Sequence, residues 1–427
     1  MTAKQNRAKN RSMRRWDPEG KTDNAVWEGM KKYFAPGALI SCVAISLVMW
    51  ILKPIPHGYH YEYAFMLSVD LTAIWLLYRA SPRTFFKPAI LALIMLCGLG
   101  LGVKNLSAVK PKAEIVWYYQ TVFDALENGK NPYTAGTIFH IAESSKPVAG
   151  NFNYPPLEIY PYYLASRIAG TWNITVLTIT ILFIQALCCL VLVLMFPRIR
   201  LIYLLPFFPI LLIGEVKTGP AMTLLLTALT LLAIKKNREK PRRKLRYLIA
   251  VLFGLGLMTK FLVIPLMAAY DWHRFDGKRL RSLIEIAVDV SIAVATAVLV
   301  MAPFGVANVF KNTILFNLIL KDRAVLATFF PNVLSGPLTW LGLQGLYSMA
   351  AIAILAMAIL AAPKLNLFSA MLTAAYVFLF VAPTPEPQFV PLLLFLVLAV
   401  RCMAIEEQGG GPKVSKRPQT FVVEMAS

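Results

Sequence analysis

Apolar residues run along this chain in twelve blocks separated by more polar stretches, two of them long: 37–52, 62–78, 88–103, 173–196, 201–213, 219–234, 247–258, 261–270, 283–301, 340–362, 367–382 and 388–403. A helix needs about 20 apolar residues to cross a bilayer, somewhat fewer where its flanks snorkel. Two pairs of blocks break that rule in the same way. Blocks 201–213 and 219–234 flank "GEVKTG", blocks 247–258 and 261–270 flank "MTKF", and each pair starts and finishes beside basic residues. Each pair therefore predicts a hairpin that enters from one face and returns to it. Glu215 and Lys217 fall at one tip and Lys260 at the other, where a charge is costly unless it meets a polar cavity or a partner.

A different periodicity appears in "EIVWYYQTVFDALENGKNPY", residues 114–133. At 100° per residue, Ile115, Tyr119, Val122 and Leu126 share one side, and Glu114, Trp117, Thr121, Asp124 and Asn128 the other. That predicts an amphipathic interfacial helix, stopped by Gly129 and kept from continuing by Pro132. "LEIYPYYLASRIAG" at 157–170 is apolar but too short to span, and predicts a re-entrant or interfacial helix.

Charge orients these elements. Basic clusters lie in the N-terminal tail, "RASPRTFFK", "PRIR", "KKNREKPRRKLR" and "DWHRFDGKRLR", so these mark the cytosolic face. The divisions that follow are a basic cytosolic tail over 1–36, first membrane helices over 37–103, an extracytoplasmic loop with interfacial helices over 104–172, membrane helices with two short hairpins over 173–302, an extracytoplasmic loop over 303–339, C-terminal membrane helices over 340–403, and a cytosolic tail over 404–427. Composition agrees. The 427 residues are 58% hydrophobic and 15% charged, with a mean hydropathy of +0.61, too apolar for a soluble protein of this size. The net charge of +21 is explained by basic loops and tails beside apolar blocks, and does not point to nucleic acid. The expectation is an all-α polytopic bundle of about 11–13 transmembrane or re-entrant helices, multi-pass in a prokaryotic plasma membrane, with membrane lipid as its surroundings.

The five cysteines, Cys42, Cys97, Cys188, Cys189 and Cys402, all lie in apolar blocks and make no disulfide framework or metal spacing. His57, His60 and His140 are scattered, and no metal site is assigned to them. No phosphate-binding Gly-rich loop or serine nucleophile elbow is present, which argues against nucleotide-driven transport and hydrolase chemistry.

Several motifs occur in a particular order. An acidic residue precedes Tyr118 and Tyr119 on a helix, then come "GKNPY", "NYPPL", "GEVKTGPAMTLLLTALTLLAI", "LGLMTKFLVIPLM" and "PTPEPQFVPLLLFL". This order resembles polyprenol-phosphate-dependent glycosyltransferases of the C superfold, closest to glycosyltransferase family 87, which includes mycobacterial-type alpha-(1,2)-mannosyltransferases. The chain departs from that family in three places. Glu114 stands where the family has Asp, Gly-Glu-Val-Lys replaces Gly-Gln-x-Asn, and two apolar blocks precede the family's first helix.

The resemblance implies a C-superfold bundle that transfers a hexose, by family default mannose, from a polyprenyl-phosphate sugar to a hydroxyl of a lipid or glycan acceptor, outside the cytosol and with inversion. Such a transfer needs one carboxylate as base, whereas a glycosidase needs two about 5 to 9.5 Å apart. Glu114 is the first candidate base, Asp124 the second and Glu158 the third. The departing phosphate calls for cations, with Arg323 first, then Lys321, Lys260 and Lys217. Trp117, Tyr118, Tyr133, Tyr154 and Gln388 are candidates for holding sugar or acceptor. No cofactor is implied with certainty, and a divalent cation at Glu114 stays open. Two other readings remain: a transporter or flippase, since charged hairpin tips also build midplane sites, and a non-catalytic subunit of a glycan-assembly complex.

Overall fold

The computed structural model describes residues 35–52, 61–107, 113–140, 147–213, 220–275, 280–320, 334–381 and 390–408. Helices carry the architecture: α1 Ala35–Leu52, α2 Tyr61–Arg79, α3 Pro88–Ser107, α4 Ala113–Glu127, α5 Ile159–Ala169, α6 Ile174–Met195, α7 Leu201–Leu212, α8 Ala221–Glu239, α9 Arg243–Leu257, α10 Val263–Arg274, α11 Leu280–Met301, α12 Tyr347–Leu360, α13 Leu367–Val381 and α14 Val390–Gln408. Every apolar block of the sequence is matched by one of them, and α4 and α5 are the two expected short helices. One addition was not expected: strands β1 Thr137–His140 and β2 Pro147–Gly150 pair antiparallel, Thr137 opposite Gly150.

Among the described residues, three helices are long and apolar enough to cross a membrane: Ile174–Met195, Leu280–Phe304 and Gln344–Lys364. Their exposed faces are themselves apolar, with Ile179, Phe183, Leu190 and Leu194 on α6 and Met349, Ile352 and Met357 on α12. Contiguous apolar surface of that kind marks a face made for lipid or for another protein. In α14, by contrast, each residue from Leu392 to Val400 is buried, and a helix apolar all round belongs at the centre of a bundle.

Local signals set the helix ends. Asn173 caps α6, its Oδ1 accepting from the N–H groups of Thr175 and Val176 at 2.9 and 3.0 Å. Gly170 ends α5 with a left-handed φ of 66°. Where α9 meets α11, Gly254 permits a very close approach: a Cβ there would lie 2.4 Å from the carbonyl oxygen of Ala293.

Charged residues show that residues 243–274 fold as a hairpin. Arg246, in the first turn of α9, reaches Asp289 Oδ1 through Nε at 2.8 Å. Arg274, the last residue of α10, reaches Asp289 Oδ2 through Nη1 at 2.7 Å. One carboxylate on α11 thus holds both ends of the unit, so α10 returns to the level at which α9 starts. Glu285 adds to the cluster, its Oε2 lying 3.1 Å from Arg246 Nη1. The α7–α8 pair is arranged alike. Lys235 near the end of α8 meets Glu406 Oε2 at 2.6 Å and donates to the carbonyl of Met195, just before the short link into α7.

The Asp289 side chain is only 4% exposed, and removing its charge takes from two partly buried guanidinium groups their nearest counter-charge, leaving Glu285 and Asp271 at 3.1 to 3.9 Å. Asp289→Asn is expected to lower unfolding stability by about 3–5 kcal/mol, measured as a shift of the unfolding midpoint in detergent. A loss below about 1 kcal/mol would show that the cluster is solvated and does not close the hairpin.

Candidate functional site

The break between α9 and α10, residues Met258–Leu262, lies where the hairpin turns. Gly254, Gly256 and Pro265 surround it, residues that weaken or interrupt a helix. Interrupting a helix frees backbone groups, and these find partners locally. The Thr259 N–H donates to Gly256 O at 2.9 Å and the Thr259 hydroxyl to the same oxygen at 2.7 Å. The carbonyl of Met258 is taken by the N–H of Leu157, 3.1 Å away. Leu157 belongs to the segment between β2 and α5, so that segment is bonded directly to the hairpin tip.

The residue after Leu157 and the second residue after Met258 carry the chemistry. Glu158, 3% exposed, ends the single 3₁₀ turn Pro156–Glu158. Its Oε1 lies 3.7 Å from Lys260 Nζ, and its Oε2 accepts from the Tyr119 hydroxyl at 3.2 Å. The Lys260 ammonium also sits 4.3 Å from the ring centroid of Tyr154, a distance at which the ring's negative face attracts it. The tip lysine therefore meets a carboxylate and an aromatic face.

An aromatic shell surrounds the pair. The Tyr118 hydroxyl donates to Asn153 Oδ1 and accepts from the Asn153 N–H, both at 2.9 Å, and its ring stands edge-on to Tyr154 with centroids 5.4 Å apart. Phe152 stacks on Tyr118 with centroids 5.0 Å apart, and Tyr162 meets Tyr119 edge-on at 4.9 Å. Burial pushes the Tyr119 hydroxyl well above the ordinary phenol range, and the Glu158 carboxylate pushes the same way. Burial raises Tyr118 likewise. Tyr119 thus stays protonated and keeps donating to Glu158.

Asparagines join residues 131–151 to residues 304–312. Asn131 Nδ2 donates to the carbonyl of Phe304, while Asn131 Oδ1 accepts from the N–H of Tyr133 at 3.0 Å. Asn312 Nδ2 donates to the carbonyl of Tyr133 at 2.8 Å, and Asn151 Nδ2 to Asn312 Oδ1 at 3.3 Å. Asn312 lies in Phe310–Leu320, which winds as a π-helix, a form found mostly as short insertions at functional positions.

The candidates from the sequence fall in different places. Lys260, Glu158, Tyr118 and Tyr154 come together, although Lys260 is engaged by Glu158 and Tyr154. Tyr133 is fully buried, its hydroxyl donating to the carbonyl of Tyr154 at 2.8 Å, so it meets protein on every side. Trp117 is 65% exposed on the outward face of α4. Asp124 lies on that face too, with Gln120 Nε2 donating to its Oδ1 at 2.7 Å. Glu114 is in the first turn of α4, and its side chain lies outside the described residues, as do Lys217, Lys321, Arg323 and Gln388. Among the described residues, no three His, Cys, Asp or Glu side chains converge as metal ligands would.

Sequence reasoning named both Glu158 and Lys260 but gave them separate roles, base and phosphate cation. Its own rule, that a charge at a hairpin tip needs a partner, was the signal that could have joined them. The sequence places Tyr119 on the apolar side of α4, and its hydroxyl's part in the site is not legible there. No family model, curated protein or solved structure matches the chain.

Removing one member of a buried pair leaves the other uncompensated, whereas replacing both with apolar groups can be nearly neutral. Lys260→Met alone is expected to cost about 3–5 kcal/mol of unfolding stability, and Glu158→Leu combined with Lys260→Met clearly less. Purely additive losses in a double-mutant cycle would show that the two groups do not interact energetically.

Proposed function

We propose that this chain is an integral-membrane glycosyltransferase with a bundle of 11–13 transmembrane or re-entrant helices, resembling the C superfold. It would move a hexose, by the resemblance mannose, from a polyprenyl-phosphate sugar to a hydroxyl of a lipid or glycan acceptor on the extracytoplasmic side. The observation that carries this reading is the Glu158–Lys260 pair, set in tyrosines at a hairpin tip where an outer segment meets an apolar bundle. A lipid-anchored phosphate arrives at that level from the bilayer and a sugar hydroxyl from the water. An enzyme joining them must hold charge at that boundary.

In this transfer the acceptor oxygen attacks the anomeric carbon from the face opposite the phosphate. As the new C–O bond forms, the bond from that carbon to the phosphate oxygen breaks, and polyprenyl phosphate leaves with the electron pair. The acceptor's proton passes to a carboxylate and then to water. Glu158 is poorly suited to take it, because the carboxylate is buried and already receives Tyr119 and Lys260. Asp124 lies six residues past Tyr118, about 9 Å along α4 by helix rise, and its Oδ1 already accepts from Gln120 Nε2. Glu114 remains as base, the position the resemblance also gives. By helix rise it stands about 6 Å along the axis from Tyr118, which packs on the Tyr154 ring that holds Lys260. Glu158 then keeps Lys260 in place, and the cations for the departing phosphate are Lys260 together with Arg323 and Lys321.

The test is release of polyprenyl phosphate from a panel of polyprenyl-phosphate sugars by purified protein in nanodiscs, with membrane lipid extract as acceptor. Wild type should release it, and Glu114→Gln should be slower by about 100-fold or more, the usual worth of a general base. Equal release by both proteins would transfer the base role elsewhere. Flipping of the donor without release would replace the enzyme reading with a transporter.

A further inference from the structure

A second polar site lies a helix length from the first. α10 runs for 12 residues from the break at Lys260 to Arg274, about 18 Å by helix rise. Near its far end the His273 ring meets the carbonyl of Leu365 at 2.9 Å, just before α13 begins. At this end of the bundle is a cavity of about 320 Å³ lined by Tyr78, Arg79, Arg238, Asn366, Ser369 and Arg401 among others. Three arginines from three helices converge there: the last residue of α2, one in the last turn of α8, and one in the second half of α14.

Like charges gathered around a cavity repel one another unless an anion sits among them. Among the described residues no carboxylate pairs with Arg79 or Arg401. The nearby acid, Glu406, is held by Lys235 at 2.6 Å. Aromatic rings flank two of the guanidinium groups, with Arg401 5.4 Å from the Tyr78 ring centroid and Arg238 5.9 Å from that of Phe368. Arg401 Nε is buried with no hydrogen-bond partner, a donor that a bound anion could take up. The start of α13 adds to the field. Asn366 Oδ1 caps it by accepting from the Ser369 N–H at 2.9 Å, and the positive end of that 15-residue helix opens onto the cavity.

We infer that Arg79, Arg238 and Arg401 form a binding site for a phosphate-bearing anion, independent of the transfer reaction. Guanidinium groups suit phosphate because their forked donors match its oxygens two at a time. The volume is at the small end for ligand pockets, enough for a phosphodiester headgroup or a pyrophosphate and too small for a whole nucleotide-sugar. The phosphate comes either from an anionic lipid of the surrounding leaflet or from solution.

Two arms separate these sources, each read by thermal unfolding of the full chain. In the first, the protein is placed in phosphatidylglycerol or in phosphatidylcholine nanodiscs; in the second, inorganic pyrophosphate is titrated in a neutral detergent. Binding is expected in at least one arm. Arg79→Gln and Arg401→Gln should weaken it about tenfold or more, the usual effect of losing one charged hydrogen-bonding group. Arg243→Gln, at an exposed arginine beginning α9, should leave it unchanged. Stabilisation by phosphatidylglycerol alone identifies a lipid headgroup, and stabilisation by pyrophosphate alone a soluble phosphate. The inference is overturned if neither anion stabilises the protein, or if Arg243→Gln weakens binding as much as Arg79→Gln. Because Arg79 is exposed at its helix end, that variant gives the answer even if Arg401→Gln does not fold.

Discussion

A helix broken inside an apolar bundle must find new partners for the backbone groups it frees, and this chain finds them in another segment. The Leu157 N–H closes on the Met258 carbonyl, and beside that bond Glu158 reaches Lys260. Much of the outer structure follows from this junction. It fixes where α5 begins, holds Tyr154 against the lysine, and brings Tyr119 of α4 onto the carboxylate. The aromatic shell packs around a contact between two chain segments that are remote in sequence. It also gives the hairpin a reason to stop where it does, since a lysine on a continuous helix at that depth would lack both partners.

The opposite end of the hairpin is held by charge as well, with a different geometry. Asp289 takes one guanidinium from each arm, so its position sets the spacing of α9 and α10. The two ends are thereby coupled. The arms are short, and a shift of either along its axis would strain the Asp289 cluster or pull Lys260 away from Glu158. Gly254 tightens the arrangement further by letting α9 lie directly against the backbone of α11. Packing that close leaves little room for sliding, which suits a tip that must keep a charged group in register with a loop.

Much of this was legible in the sequence, and the reason is length. Twelve apolar blocks became helices because a run of that composition has few alternatives, and the basic clusters around 243–274 implied a return before any contact was known. The amphipathic face of α4 was legible too, although Tyr118 and Phe123 widen its buried side beyond the stripe first drawn. The pairings were not legible. Nothing local ties Glu158 to Lys260, or Asn131 to the carbonyl of Phe304, since each contact depends on how distant segments dock. The β1–β2 hairpin was missed because four-residue strands such as "TIFH" and "PVAG" carry too little alternation to distinguish them from loop. The arginine cavity was hidden for the opposite reason. Arg79 and Arg238 served as topology signals, so one use of a charge concealed another, and Arg401 lies inside an apolar block.

A buried ion pair is a poor way to gain stability, because desolvating two charges can cost as much as their attraction returns. Its presence at the hairpin tip therefore calls for a reason other than holding the fold together. Apolar side chains would pack the same junction, and the tyrosine shell already supplies them in quantity. What apolar groups cannot supply is an ammonium whose position is fixed by an aromatic ring and a carboxylate. Nor can they supply a carboxylate prevented from acting as a base by a phenol that remains protonated. The arrangement therefore fixes a positive charge at the hairpin tip between an aromatic ring and a carboxylate. Under the proposed transfer, which needs a single carboxylate as base, Glu158 is engaged by Lys260 and Tyr119, and the role falls to Glu114 in the first turn of α4.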